Sequence, residues 1–516
     1  MSHPVTDPTA RVLFMTSNGT GLGHLTRTMA IARRLEPGIE PLFLTLSAAA
    51  PVVRRQGFLV EYMGSYDTPG AGSHLEWSRR LRTRLEGILH DARPAVVVFD
   101  GAHPYPAALE AMGSVPGLTK VWSRRPLWRA RRGRPILALA AAFDLVLEPG
   151  ELAAEDDAGL TVGRRDEAVR VAPIVLCDES ELLAREQAER ELALEPGRLN
   201  VLVALGQGPE VDGAVQRCLT RLAAEPGVQV AALESSISSR LDVPDTVRLL
   251  RDIYPVSRYY RAFDFAVSAA GYNAYHELIR FAIPTLFVPM PRELDDQAAR
   301  ARYAERSGLA LSSEGPATEL IGRRLERMLD TSLRARLSAR ARELGTANGA
   351  VEAARLLSGL ASGAERPGRA GVPRPRPGRA AMWATKSRAR ASALLRHPAE
   401  RRRSPRPELV CVALGTSDGE LRAGIGELLR DELDPARLLV LTDSAAFGLL
   451  REAGVTFAYV PPRDEVEAHL PGVDYDELVR RRLGEALAGG SPRRFEAIGA
   501  SRGDPARWLP TPQDRD

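Results

Sequence analysis

The stretch FDFAVSAAGYNAYHELIRFAIPTLFVPM, residues 263–290, decides the fold. An apolar run ends at Ser268, the small residues Ala269, Ala270 and Gly271 make a turn, a helical segment carries Glu277, and a second apolar run lies between Pro284 and Pro289. Strand, tight turn, helix and strand in that order form a crossover unit, which sets two strands parallel. Both strands are apolar throughout, so both faces of their sheet are covered. Gly271 opens the helix, where unpaired backbone N–H groups and the helix dipole favour an anion. Glu277 can accept hydrogen bonds from a ribose diol, and Asp296 with Gln297, at the start of the next helix, suit sugar hydroxyls.

The same alternation runs outward in both directions. Strands are expected at 11–17, 41–47, 58–63, 95–100, 119–123 and 144–148, and again at 200–206, 228–233 and 284–290, with helical segments between them. A chain of 516 residues accommodates two or three domains of ~100–200 residues. The fold class is α/β: two doubly wound Rossmann-like domains, over 1–171 and 172–360, with an acidic, helical stretch at 150–197 and the boundary near 172–198. Residues 361–407 hold twelve arginines and one lysine against two glutamates, with many prolines and glycines, and read as a basic linker. Adhesion of its segment 380–396 to an anionic membrane is the second reading of that linker. A small α/β unit of unassigned role is expected over 408–490, and a tail over 491–516. Asp474 and Asp476 have the spacing of a metal pair but follow no apolar strand, so they read as a solvated helix start.

The first expected strand runs into NGTGLGHLTR, residues 18–27. Gly19, Gly21 and Gly23 permit a tight strand-to-helix turn and close approach of a ligand. A dinucleotide fingerprint has Gly where this turn has His24, and no acidic residue closes the second strand, so the pattern argues against a nicotinamide cofactor. His24 at a helix start is disfavoured as a cation. It reads either as a cap of the turn or as a neutral base for a hydroxyl. Arg27 reads as a phosphate partner or as a surface charge. Asp100 and His103, in FDGAHPYP, end a strand and could reach the same cleft.

Taken together, these motifs resemble those of the GT-B nucleotide-sugar glycosyltransferases, and most nearly those of the UDP-N-acetylglucosamine transferase that completes the peptidoglycan lipid precursor and of related glycolipid and polysaccharide transferases. The resemblance covers roughly residues 10–360 and rests on Gly271, Glu277, Ala282-Ile283-Pro284, Pro289, Asp296-Gln297 and NGTGLGH, with LGQG (205–208) in the place of a second glycine loop. Ala269-Ala270 and the bulkier Tyr272-Asn273 depart from the usual pattern. The resemblance implies that Gly271, Tyr272 and Asn273 seat a diphosphate, with Gly206 and Gly208 lining the cleft. Glu277 would hold the ribose, Ile253 flank the uracil, and Asp296 and Gln297 hold the sugar. Gly21, Gly23 and His24 would face the acceptor, with His24 as base; Arg27, Asp100 and His103 are placed on the same acceptor side by their positions in the sequence. It implies inverting transfer of N-acetylglucosamine or another hexose from a UDP-sugar, without metal or cofactor.

The rival readings are a UDP-sugar hydrolase in which His24 activates water, and a non-catalytic nucleotide-sugar-binding scaffold. The acceptor class suggested is lipid-linked or polysaccharide. Three widely spaced cysteines and the absence of a leader or an apolar run of spanning length suggest a cytoplasmic chain, peripheral at the inner face of the cell membrane. No nucleic-acid motif is present.

Overall fold

The computed structural model describes residues 8–17, 22–68, 71–206, 209–234, 243–317, 319–363, 407–431, 433–487, 492–499 and 508. Gly21, Gly208, residues 364–406 of the linker and most of the expected tail lie outside the described residues.

Three parallel sheets organise the chain. The first comprises β1 (Ala10–Thr16), β2 (Ile39–Thr45), β3 (Leu59–Tyr62), β4 (Val96–Asp100), β5 (Thr119–Ser123), β6 (Leu145–Glu148) and β7 (Ala168–Arg170), in the order β3-β2-β1-β4-β5-β6-β7. The second comprises β8 (Leu199–Ala204), β9 (Val228–Leu233), β10 (Val247–Leu250), β11 (Phe265–Ala269), β12 (Thr285–Val288) and β13 (Leu311–Ser312), in the order β10-β9-β8-β11-β12-β13. The third comprises β14 (Leu409–Ala413), β15 (Leu438–Thr442), β16 (Thr456–Tyr459) and β17 (Arg494–Ala497), in the order β16-β15-β14-β17. Each sheet is wound both ways from an inner strand, so the expected pair of doubly wound domains and the smaller α/β unit are present. In such sheets ligands sit outside the carboxyl ends of the strands where the winding reverses. Those points are β1/β4 in the first sheet and β8/β11 in the second.

The strands are buried on both faces: Val12, Phe14, Val96 and Val98 pack into one core cluster, and Leu13, Met15, Val97 and Phe99 into another. The helix His74–Ala92 begins at Ser73, whose hydroxyl accepts from the Glu76 backbone while Glu76 reaches back, and it buries Trp77, Leu81, Leu85, Ile88 and Leu89. Each such side chain contributes roughly 1.5–3 kcal/mol when fully buried.

Three expectations need correction. The stretch 150–197 is mostly irregular, with the 3-10 turns Ala154–Asp156, Val162–Glu167 and Glu179–Glu181, strand β7 and one helix, Arg185–Leu192. The segment runs close against the rest of the fold at two points, where a Cβ on Gly150 would meet the Val171 carbonyl oxygen at 2.7 Å and one on Gly159 the Trp128 carbonyl oxygen at 2.3 Å. The expected tail contains β17, which pairs with β14. The helix Ala350–Ala361, read as part of the second domain, packs into the first, where Ala353, Ala354 and Leu357 share a core cluster with Val12, Met29 and Val96. Among the described residues no helix is long and apolar enough to cross a membrane.

The third unit docks on the first sheet beyond β3. Glu61 of β3 accepts from Arg482 Nη2 at 2.6 Å and from Arg84 Nη1 at 3.4 Å. Glu485 bonds both arginines, His469 bonds Glu40, and the Tyr62 ring lies 4.8 Å from that of Phe447.

Candidate active site

Adjacency of β1 and β4 sets Thr16 opposite Asp100, which brings the end of β4 beside the helix Gly23–Ala32. His24 is that helix's second residue, and its Nδ1 lies 2.6 Å from Asp100 Oδ1. Asp100 is fully buried. It also accepts from Arg27 Nε at 2.8 Å, from Arg27 Nη2, and from Ser123 Oγ at 2.6 Å. Burial alone would raise the Asp100 pKa, but the Arg27 guanidinium and His24 outweigh it and hold the carboxyl well below its ordinary range. An ionised carboxylate only accepts, so His24 carries its proton on Nδ1. That leaves Nε2, for which no hydrogen bond is found among the described residues, as the basic nitrogen.

Burial lowers the His24 pKa below its ordinary 6.5; Asp100 opposes that shift, and Arg27 and Arg125 add to it. His24 is therefore neutral near pH 7 and charges only in more acidic solution. If it is the base, the acid limb of kcat/KM has its midpoint below pH 6.5, and a pH–rate profile checks this. The expected phosphate role of Arg27 gives way to this pairing: its guanidinium is 2% exposed and closed on Asp100.

Across the cleft the helix Tyr272–Arg280 presents its N-terminus. Its N-cap, Gly271, has no capping side chain, and its first turn carries no acid. The dipole and the unpaired N–H groups make this an anion seat. Gly206 follows β8 at φ +82°, exposed beside the other arm of the second switch point. The two helix starts meet directly, since Asn273 Nδ2 donates to the Gly23 carbonyl at 3.0 Å. Nearby, Thr26 Oγ1 lies 2.9 Å from the Tyr254 hydroxyl.

Several side chains stand elsewhere than expected. The Tyr272 hydroxyl donates to Gly150 and accepts from Ile174 N, and its ring centre lies 5.3 and 5.7 Å from the Cζ atoms of Arg27 and Arg300. It joins the domains and leaves only its backbone to an anion. Asn273 likewise spends its amide nitrogen on the opposite domain, while its Oδ1 is buried with no hydrogen-bond partner among the described residues. Glu277 is 6% exposed and accepts from Leu176 N at 3.4 Å and from Tyr260. Its Oε1 is met by the returning connection at Leu176, so the carboxylate is held within the fold. Asp296 caps its helix through Ala299 N, and Gln297 Oε1 accepts from Met290 N, which leaves the Gln297 amide nitrogen beside Gly271. Ile253 is half-buried in the second core, and His103 is exposed beyond β4.

Sequence reasoning missed Arg125 and Asp295. Arg125 lies two residues past β5, at the carboxyl end of a parallel strand, which is where such residues are to be sought. Asp295 is the other acid of LDDQ and pairs with Arg125 and Arg300.

Burial raises the Glu277 pKa to about 7, against hydrogen bonds from Leu176 and Tyr260. Its unfolded value is near 4.5. Between those values the native state binds more protons than the unfolded one, so stability falls as pH rises from 4.5 to 7, by about 3 kcal/mol. Glu277→Gln should flatten that slope, as urea unfolding at pH 5 and pH 8 would show.

No protein-family model matches the chain, and no curated protein does. Among solved structures the chain is similar to glycosyltransferases. The spinosyn rhamnosyltransferase SpnG is 18% identical, with 68% of this chain and 99% of that one covered and a TM-score of 0.46. The spinosyn forosaminyltransferase SpnP is 16% identical, with 68% and 100% covered and a TM-score of 0.49. The MurG of Acinetobacter baumannii is also similar, at 16% identity, 67% and 99% coverage and a TM-score of 0.45.

Proposed function

We propose that this chain transfers a sugar from a nucleoside diphosphate sugar, of the UDP class, to an acceptor hydroxyl. One observation carries the reading. A neutral His24, oriented by a buried Asp100, faces an uncapped helix N-terminus in the other domain, with Asn273 bonded to Gly23 beside it. A base and an anion seat on opposite walls of one cleft suit a displacement at the carbon joined to a departing diphosphate.

His24 Nε2 takes the acceptor proton as the acceptor oxygen attacks the anomeric carbon. The bond from that carbon to the diphosphate oxygen breaks, and its electron pair leaves with the diphosphate. Asp100 stabilises the imidazolium that forms. The N–H groups at Tyr272 and Asn273 take the growing negative charge. Attack opposite the leaving group inverts the anomeric centre. A lipid-linked or polysaccharide acceptor at a membrane face belongs to this proposal through the basic charge of residues 361–407.

The test is a panel of UDP-sugars, each incubated with and without candidate acceptor alcohols and analysed for products. Sugar appearing on the acceptor supports transfer. Free sugar without an acceptor indicates a hydrolase built on the same base. A UDP-induced rise in melting temperature without turnover indicates a scaffold, because a native-state ligand stabilises whatever the acceptor. Absence of both binding and turnover overturns the reading.

A further inference from the structure

The helix Gly23–Ala32 is held by both domains. On its own side, His24 and Arg27 are tied to Asp100. On the far side, three of its residues meet three residues of the second domain. Asn273 Nδ2 donates to the Gly23 carbonyl at 3.0 Å, Thr26 Oγ1 lies 2.9 Å from the Tyr254 hydroxyl, and Arg27 Cζ lies 5.3 Å from the centre of the Tyr272 ring. The helix has no side-chain cap, its N-cap residue being Leu22. Its first turn therefore takes its place from contacts across the cleft as well as from Asp100.

The first of these contacts adjoins the base. The planar peptide unit that carries the Gly23 oxygen also contains the Cα of His24. A donor that holds this oxygen thus holds the point from which the imidazole hangs. The Asn273 amide has no other tie, because its Oδ1 is buried with no hydrogen-bond partner among the described residues. Turning the amide over would set two acceptors, Oδ1 and the Gly23 oxygen, against each other, so the nitrogen stays on Gly23. Asn273 is also the second residue of its own helix, and its backbone N–H belongs to the anion seat. One residue therefore reaches both halves of the site, the base through its side chain and the anion through its main chain.

We infer that Asn273 is a positioning residue for His24, holding the base in place from the opposite domain through the Gly23 carbonyl. This rests on the transfer reading above and adds to it a link between the two walls of the cleft. Asp100 sets the tautomer and direction of the ring, and Asn273 sets how far Nε2 stands toward the anion seat. Parting the domains takes Asn273 off Gly23, so base and seat reach their working places together. A misplacement of about 1 Å at a reacting group can cost about 100-fold in rate. With the Tyr254 and Tyr272 contacts still in place, loss of the Asn273 bond should cost part of that.

Single-turnover transfer by the full chain, beside calorimetric UDP binding, tests this in a double-mutant cycle. Asn273→Leu keeps the bulk of the side chain and every backbone N–H. It should lower the rate about tenfold, the upper end for one neutral hydrogen bond, and leave UDP affinity unchanged. Asn273→Gln, which still offers an N–H, should recover part of the rate. In a chain already carrying His24→Ala, the same Asn273→Leu change should cost nothing further, because the group it positions is gone. If Asn273→Leu costs the same factor with and without His24, Asn273 does not act through the base and the inference is overturned. It is equally overturned, with sugar transfer left standing, if Asn273→Leu alone transfers at the wild-type rate. A wild-type chain that transfers no sugar removes the transfer reading itself, and the inference with it.

Discussion

Replacing His24 with alanine should lower sugar transfer by about 10²–10⁴-fold, the range for loss of a positioned general base, while leaving UDP affinity unchanged. The side chain touches Asp100 and the cleft, and the anion seat at Gly271 is made of backbone on the opposite wall. Its removal therefore takes away a proton acceptor and no donor contact. Asp100→Asn is the sharper variant. An asparagine keeps the shape but can offer an N–H, which favours the tautomer with the proton on Nε2 and leaves no base facing the acceptor. It also leaves Arg27 buried without its carboxylate, so a thermal melt must accompany the assay. Single-turnover rates beside calorimetric UDP binding check both variants. A His24→Ala chain that turns over at the wild-type rate would remove His24 from the chemistry.

Arg482→Met should destabilise the docking of the third unit by about 3–5 kcal/mol, the range for removing one partner of a buried ion pair, because Glu61 and Glu485 are then left to share Arg84 alone. Arg482 is fully buried and bonds both Glu61 and Glu485. Burial would raise the Glu61 pKa, but Arg482 and Arg84 hold it below the ordinary value of 4.5. Glu61 therefore contributes stability above pH 4.5 and loses it as acid carries the pH down through its lowered folded value. Adding Glu61→Leu to Arg482→Met should restore part of the loss, since an apolar filling of the same space leaves fewer unpaired charges. Urea unfolding followed by tryptophan fluorescence gives both values, and a single-variant loss within about 0.5 kcal/mol, the scale of an ordinary surface substitution, would deny the cluster its role.

The paired sheets were legible because their strands are continuous apolar runs broken by small-residue turns. The edge strands β10, β13 and β17 were not, being short and flanked by irregular chain. Within the site, His24, Gly271 and the end of β4 could be read, but Asp100 was paired with its sequence neighbour His103. Its actual partner, 76 residues away, requires knowing that β1 and β4 are adjacent. Glu277 shows a different limit. Helical spacing places it along the helix from Gly271, but not against the connection 174–177, which arrives from another part of the chain. A hint at the third unit's seat was available and unused: Glu40 and Glu61 are charges set inside apolar strands, and both find their partners in residues beyond 468.

The helix Ala350–Ala361 constrains how this protein can be divided. It is encoded after the second sheet, yet its apolar side belongs to the first. A fragment ending at residue 171 would expose the seat of that helix to water, and one beginning at 172 would carry the helix uncovered. Chimaeras that exchange one lobe with that of another protein must move residues 350–361 with the lobe they cover, not with the lobe that precedes them in the gene.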